Sequence, residues 1–300
     1  MEIAVTAWRF GTGGKASELA RQAVIAESMG FHSFWLPENH FTGPTAIPAP
    51  LMLLAGVAAQ TERIGLGTTS LLLPIRHPIA TAEEVAVLDR MSGGRVILGI
   101  GRGFQPAMFT AFDVPVADKR KLFKAHLTTM LAAWRGEPVA FHDGEPVLLA
   151  PLPVQQPHPP IWVAAFGPLA LKQAGSLGLP YLASPMETES VLVENYNTHR
   201  AALAEPNPVV PLMRTVFVSK DRATLSRVRD QLGTETRRSP AKDVDDWAIV
   251  GDPEQVAARI QSYRASTGMT HLIARGRISG VEEDEQISSL ELLLAIARDA

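Results

Sequence analysis

"RIGLGTTSLLLPIRHPIATAEEVAVLDRMSGGRVILGIGRGF", residues 63–104, carries one full alternation of strand, helix and strand. Its two outer runs are apolar almost without interruption, the mark of parallel strands covered on both faces. Between them "PIATAEEVAVLDRMS" has the length and composition of a helix, and Gly93-Gly94 ends it. Parallel neighbours need such a crossover, so the stretch predicts a βαβ unit.

The alternation continues on both sides. Towards the N-terminus, "EIAVTAW" precedes the helical "KASELARQAVIAESMG", and "SFWLP" precedes "PAPLMLLAGVAAQTE". In the first of these helices Leu19, Ala23, Ala26 and Met29 recur at three- and four-residue steps. Lys15, Glu18, Arg21 and Glu27 take the other side, and Gly30 supplies the stop. Towards the C-terminus come helix 119–134, "PIWVAAF", helix 169–176, "PYLAS", helix 188–204, "PLMRTVFVS" and helix 222–233. "PEQVAARIQSYRAST", "THLIAR" and helix 284–298 complete the series.

Eight strands alternating with helices predict an α/β fold and, within it, a single closed (β/α)8 TIM barrel over residues 1–300. Two stretches read as insertions at strand C-terminal ends, not as domain boundaries. Residues 135–160 carry a hairpin about His142-Asp143-Gly144 and a proline-rich return, and residues 233–252 are polar and loop-like.

Composition narrows the chemistry. With 28 Lys and Arg against 31 Asp and Glu, interspersed, there is no basic stripe to neutralise a phosphate backbone, so nucleic acid is not an expected partner. The absence of cysteine removes disulfides, thiolate nucleophiles and zinc-thiolate sites. Apolar runs fall short of the ~20 residues of a membrane span, and "MEIAVTAWRF" lacks the basic and apolar regions of a signal peptide. A cytoplasmic protein without a membrane partner is expected. There is no H-E-x-x-H, no G-x-S-x-G, no P-loop and no G-x-G-x-x-G opening a helix, and the histidines are scattered. No metal is expected.

In a (β/α)8 barrel chemistry is built where strands end at their C-termini. Glu38, Asn39 and His40 follow "FWLP" there, a position as consistent with capping and turn roles as with a site. Thr69 and Ser70 put two hydroxyls at the end of an apolar run, for which the β-branched strand propensity of Thr68 and Thr69 is the simpler account. Arg76 and His77 stand at the start of the next helix. In Gly101-Arg102-Gly103 the glycines permit close backbone approach and the arginine offers a planar cationic fork, suited to a phosphate or the edge of a flavin. Gly167-Pro168 opens a helix whose free N–H groups make either an anion site or an ordinary turn. Arg120 is a second phosphate partner or a solvated charge. Trp8, Phe10, Phe104, Phe109 and Phe166 either line an apolar pocket or belong to the core.

Taken in order, "FWLPENHF", the run from Ile64 to Phe104, "PPIWVAAFGPLALKQAGSLGLP" and "VGDPEQVAARIQSY" resemble the bacterial luciferase-like monooxygenase family. The resemblance spans nearly the whole chain and is densest between Phe34 and Phe112. It implies a barrel that holds FMN, or in a sister branch the deazaflavin coenzyme F-420, at its mouth. It also implies a non-proline cis peptide at Thr69-Ser70 beneath the ring, cofactor contact by Arg102, and phosphate binding by Arg120 and the Gly167-Pro168 turn. Glu38, Gly101 and Phe166 are counted with this cofactor set.

Family members often carry Glu-His-His-Phe where this chain has Glu38-Asn39-His40-Phe41. Asn39 thus stands where the resemblance implies an acid/base histidine. Asparagine does not titrate near neutral pH but can hydrogen-bond, and His40, a residue type whose ordinary pKa is ~6.5, is left to move a proton. Asn39 and His40 are the catalytic candidates, and light emission is not expected. The predicted function is oxygenation of a small organic substrate by O2 and reduced FMN, the latter delivered by a separate reductase. Family habit implies a homodimer through the second and third helices. Hydride transfer with the deazaflavin coenzyme, and flavin binding without turnover, are the two other readings.

Overall fold

The computed structural model describes residues 1–10, 16–236 and 243–299, except the side chains of 235, 236 and 299. Lys15 of the first helix and residues 237–242 of the second expected insertion lie outside the described residues. In chain order the elements begin with β1 (Glu2–Thr6), α1 (Ala16–Met29), β2 (Ser33–Leu36), α2 (Pro50–Ala58), β3 (Gly65–Thr68), β4 (Leu71–Leu72), α3 (Pro78–Ser92) and β5 (Val96–Gly101). There follow α4 (Pro106–Ala111), α5 (Lys119–Trp134), β6 (Ala140–His142), β7 (Glu145–Val147), β8 (Ile161–Ala164), α6 (Pro168–Ser176), β9 (Tyr181–Leu182) and α7 (Glu189–Arg200). The last are β10 (Pro211–Val218), α8 (Arg222–Thr236), β11 (Ala248–Gly251), α9 (Pro253–Thr267), β12 (His271–Arg275) and α10 (Glu283–Asp299). The chain is an α/β protein that forms two compact units.

The first unit comprises residues 1–9, 25–35 and 165–300. Its strands run parallel in the order β11-β10-β12-β1-β2, with Ile3 opposite Leu272 and Val5 opposite Phe34. All eight residues of β10 are buried, the two-sided burial that its unbroken apolar run predicts. Helix α9 shows how local sequence sets an element. Asp252 and Gln255 form a reciprocal capping box, Pro253 takes the first turn, and Gly268 ends the helix in the left-handed region at φ 74°.

The second unit comprises residues 10–24 and 36–164. Here β3, β5 and β8 are parallel neighbours, with Leu66 opposite Val96 and Leu98 opposite Ile161, and β4 pairs with the end of β5 through Leu72 and Gly101. The βαβ unit read from residues 63–104 is present. Leu66, Val85, Leu98 and Ile100 are each fully buried in it, a class of burial worth about 1.5–3 kcal/mol per side chain. Arg95, at the start of β5, donates to the carbonyls of Ala58, Thr61 and Ile64 and so fixes where β3 begins.

The expected hairpin is β6 with β7, antiparallel, turned by Asp143 and Gly144 at positive φ. Its proline-rich return is pinned by Gln155, whose amide Nε2 and backbone N–H both donate to the buried carboxylate of Asp89.

Two readings need correction. "RIGLGTTSLLL" is two strands, β3 and β4, separated at Thr69-Ser70. The stretch 233–252 is not only loop: α8 runs to Thr236, and Ala248–Gly251 is a buried strand paired with β10. Four apolar residues behind a polar run give too short a signal for periodicity. The strand is held because Trp247 and Val250 pack with Phe217, Val228 and Leu232. Among the described residues no helix is long and apolar enough to cross a membrane.

Candidate active site

The polar cluster that follows β2 closes on one carboxylate. Glu38 is 7% exposed as a residue, with its side chain wholly buried. Its Oε2 accepts the Leu72 N–H at 2.7 Å, and its Oε1 accepts from Arg76 Nη2 at 2.8 Å and from His40 Nε2 at 3.0 Å. A carboxylate offers only lone pairs, so the His40 nitrogen facing it carries the hydrogen, and the other nitrogen, Nδ1, is the basic atom of the neutral ring. The ring is buried, at 7% exposure, and meets Phe112 edge-on at 5.0 Å between centroids.

Asn39 faces a different task. Its Oδ1 accepts the Ile47 N–H at 3.0 Å and the Thr42 hydroxyl at 2.9 Å, and its own N–H donates to Ile47 O. These bonds close the loop between residues 39 and 47. In that loop Phe41 takes a left-handed backbone at φ 60° and stays 67% exposed.

The Thr69-Ser70 peptide is cis, as the resemblance implies. Thr69 N–H donates to Leu36 O, and Thr68 Oγ1 donates to Gly99 O at 2.7 Å, so this backbone is tied to β2 and β5. Gly101 allows a close approach here. A Cβ at that position would run into Ser70 Oγ and would lie 3.1 Å from Ser70 Cβ. Glu38, His40, Thr69, Ser70 and Gly101 therefore belong to one connected region of the second unit, in which Gly101 pairs with Leu72 and Leu72 with Glu38.

Beyond Gly101, Arg102 lies over the ring of Phe123, 4.9 Å from guanidinium carbon to centroid. Burial first, and then the like charge of Arg120, holds the Arg102 guanidinium below the ordinary arginine value. Both arginines remain cations.

The remaining residues of the expected set belong to the first unit. Phe166 is 62% exposed, and Gly167, at φ 79°, precedes Pro168 at the start of α6. Gly167 has no side chain to cap α6, and the N–H groups of Ala170 and Leu171 are taken up by Gly167 O. Of the aromatic candidates, Trp8 and Phe109 are core, whereas Phe104 is 73% exposed. Sequence reading left Arg76 as a helix-start residue and missed its bond to Glu38. The available signal was an arginine six residues after the Thr69-Ser70 pair of hydroxyls. Among the described residues no three His, Asp or Glu side chains are placed to hold a metal ion.

A family profile described as luciferase-like monooxygenase matches residues 3–271. The oxygenase component of the flavin-dependent trigonelline monooxygenase of Acinetobacter baylyi is 31% identical over 216 residues, covering 67% of this chain and 59% of that protein. The chain spans between 50% and 66% of the length of this and comparable curated relatives. Two solved structures share the fold. The oxygenating constituent of 3,6-diketocamphane monooxygenase from a Pseudomonas putida plasmid, in complex with FMN, superimposes with a TM-score of 0.80 at 20% identity, covering 98% of this chain and 96% of that one. The coenzyme F-420-dependent tetrahydromethanopterin reductase of Methanopyrus kandleri does so with a TM-score of 0.69 at 19% identity, covering 98% and 97%.

Proposed function

The chain belongs to the luciferase-like monooxygenase family, and from that premise we propose that it is the oxygenating component of a two-component flavin monooxygenase. It takes reduced FMN from a separate reductase, and with O2 it oxygenates a small organic substrate. Bound reduced flavin supplies the electrons for splitting dioxygen, one atom going to the substrate and the other to water. The family match over residues 3–271 carries this reading, together with the gathering of Glu38, His40, Thr69, Ser70 and Gly101 in one region.

In the same reading the chain is one closed (β/α)8 barrel domain, supported by its parallel strands with helical crossovers and by the TM-score of 0.80. Arg102 and Arg120 hold the phosphate, with the Gly167-Pro168 turn and Phe166 as further cofactor contacts. Thr69-Ser70 and Gly101 offer the ring a close backbone surface. His40 moves the proton at Nδ1, Glu38 orients it, and Asn39 is assigned to loop closure because both acceptor directions of its Oδ1 are used. Self-association through α2 and α3 completes the reading. Met52, Val87 and Met91 are exposed and line a groove of about 260 Å³ there.

Hydride transfer with a deazaflavin is the second reading, favoured by the likeness to the Methanopyrus kandleri reductase. Titration separates the two. FMN, reduced and oxidised, is expected to quench the fluorescence of the five tryptophans at about micromolar concentration. Arg102→Ala should weaken FMN about tenfold or more, the scale of one lost charge-assisted bond, and leave phosphate-free riboflavin unchanged. Preferential binding of the deazaflavin coenzyme overturns the proposal. Flavin binding without substrate-dependent oxygen consumption across a broad panel would leave a flavin carrier instead.

A further inference from the structure

Arg76 is the one charged side chain of the Glu38 cluster to which the proposed reaction gives no task. Its Nη2 lies 2.8 Å from Glu38 Oε1, the same oxygen that faces His40 Nε2 at 3.0 Å. Among the described residues its other ion-pair partner is Glu84, 54% exposed and 3.6 Å away, a surface pair of little energetic consequence. The turn after β4 delivers Arg76, whose N–H donates to Leu73 O. Residues 71–76 thus bring two of the three donors that Glu38 receives, the Leu72 N–H and the Arg76 guanidinium. The imidazole of His126 touches the same turn, but at Leu73 O and not at the carboxylate.

We infer that Arg76 is a positioning residue: it keeps the buried Glu38 ionised, and the ionised carboxylate holds His40 in the tautomer that leaves Nδ1 basic. The inference rests on the reading of His40 as the proton-transfer residue. An ionised carboxylate with no exposure is tolerated only when paired. Without the guanidinium the least costly state of Glu38 is the neutral acid, which takes one proton from solvent. Because the Leu72 N–H keeps Oε2 as its acceptor, the acid's O–H sits on Oε1 and the facing His40 nitrogen accepts it. The ring hydrogen moves from Nε2 to Nδ1, and the basic atom is lost.

The test is the ring-nitrogen NMR spectrum of ¹⁵N-histidine-labelled full-length protein without flavin, with His40 assigned by the signal missing in His40→Asn. Wild type and Arg76→Lys should show His40 as Nε2–H, whereas Arg76→Met and Arg76→Gln should show mainly Nδ1–H. Arg76→Gln retains a donor for Glu38 and lacks only the charge, so it serves where Arg76→Met does not fold, as judged by thermal melting. Substrate-dependent oxygen consumption with chemically reduced FMN should fall about tenfold in the neutral variants, at unchanged FMN affinity. Retention of Nε2–H in the neutral variants, or its loss in Arg76→Lys, overturns the inference. A wild-type rate in His40→Asn would instead sink the proton-transfer reading while leaving the tautomer result intact.

Discussion

Two carboxylates, the buried Glu38 in the second unit and the half-buried Glu187 in the first, are built from similar parts and differ in what their neighbours can do. Glu187 Oε2 accepts the Tyr181 O–H at 2.8 Å and the Ser184 N–H at 2.9 Å, and Oε1 accepts from Asn195 Nδ2 at 2.8 Å. The fully buried Arg214 gives its Nη hydrogens to the carbonyls of Ser184, Met213 and Glu187 instead of to the carboxylate. With no guanidinium on its oxygens, burial pushes the Glu187 carboxyl above the ordinary range, and burial followed by the Glu187 charge pushes the Tyr181 hydroxyl up as well. Tyr181, Ser184 and Asn195 all donate to the carboxylate, so the cluster locks the turn between β9 and α7. At Glu38 one donor is an imidazole with a second nitrogen. In the proposed function that one ring atom makes the Glu38 cluster a proton relay instead of a lock.

The sharpest way to break the comparison is to remove it. His40→Asn should lower substrate-dependent oxygen consumption with reduced FMN about 100-fold or more, with FMN affinity, read by tryptophan quenching, within about threefold. Glu187→Ala should leave FMN affinity unchanged but strand three donors, the buried Tyr181 hydroxyl among them, costing about 1–3 kcal/mol in urea denaturation. A collapse of flavin binding in that variant would make both clusters functional and end the contrast.

Smaller effects sharpen it. Gly101→Ala drives a methyl into Ser70 Oγ and should cost about 1–3 kcal/mol of stability together with weaker FMN binding in the same titration. Asn39→Ala should cost about 1 kcal/mol and speed amide exchange at Ile47, while turnover stays close to wild type. If turnover falls as far as in His40→Asn, Asn39 is catalytic after all.

The last prediction concerns pH. Because the Glu187 carboxyl is raised in the folded chain, the folded state binds more protons than the unfolded one between the ordinary and the raised value. Its contribution to stability is therefore full below the ordinary glutamate range and is lost as pH rises through the raised value. In Glu187→Gln the melting temperature should decline less over that interval than in wild type. An unchanged slope would mean that the carboxyl is not raised.

How much of this was legible in the chain follows from the range of the interactions. The parallel βα alternation, the hairpin at His142-Asp143-Gly144 and the glycine stop of α3 are local patterns of apolar spacing and turn chemistry, and the sequence by itself determined them. Resemblance supplied the neighbourhoods of Thr69-Ser70 and Arg102. It did not separate Asn39 from His40, since adjacent residues share every periodic signal, and it passed over the strand Ala248–Gly251, whose four residues are held by packing.

Only the tertiary structure decided that Asn39 closes a loop, and that Glu38 gathers Leu72 and Arg76 from 34 and 38 residues away. The physical reason is that a buried charge is specified by which donors converge on it in space. Convergence across separate strands leaves no spacing along the chain to be read.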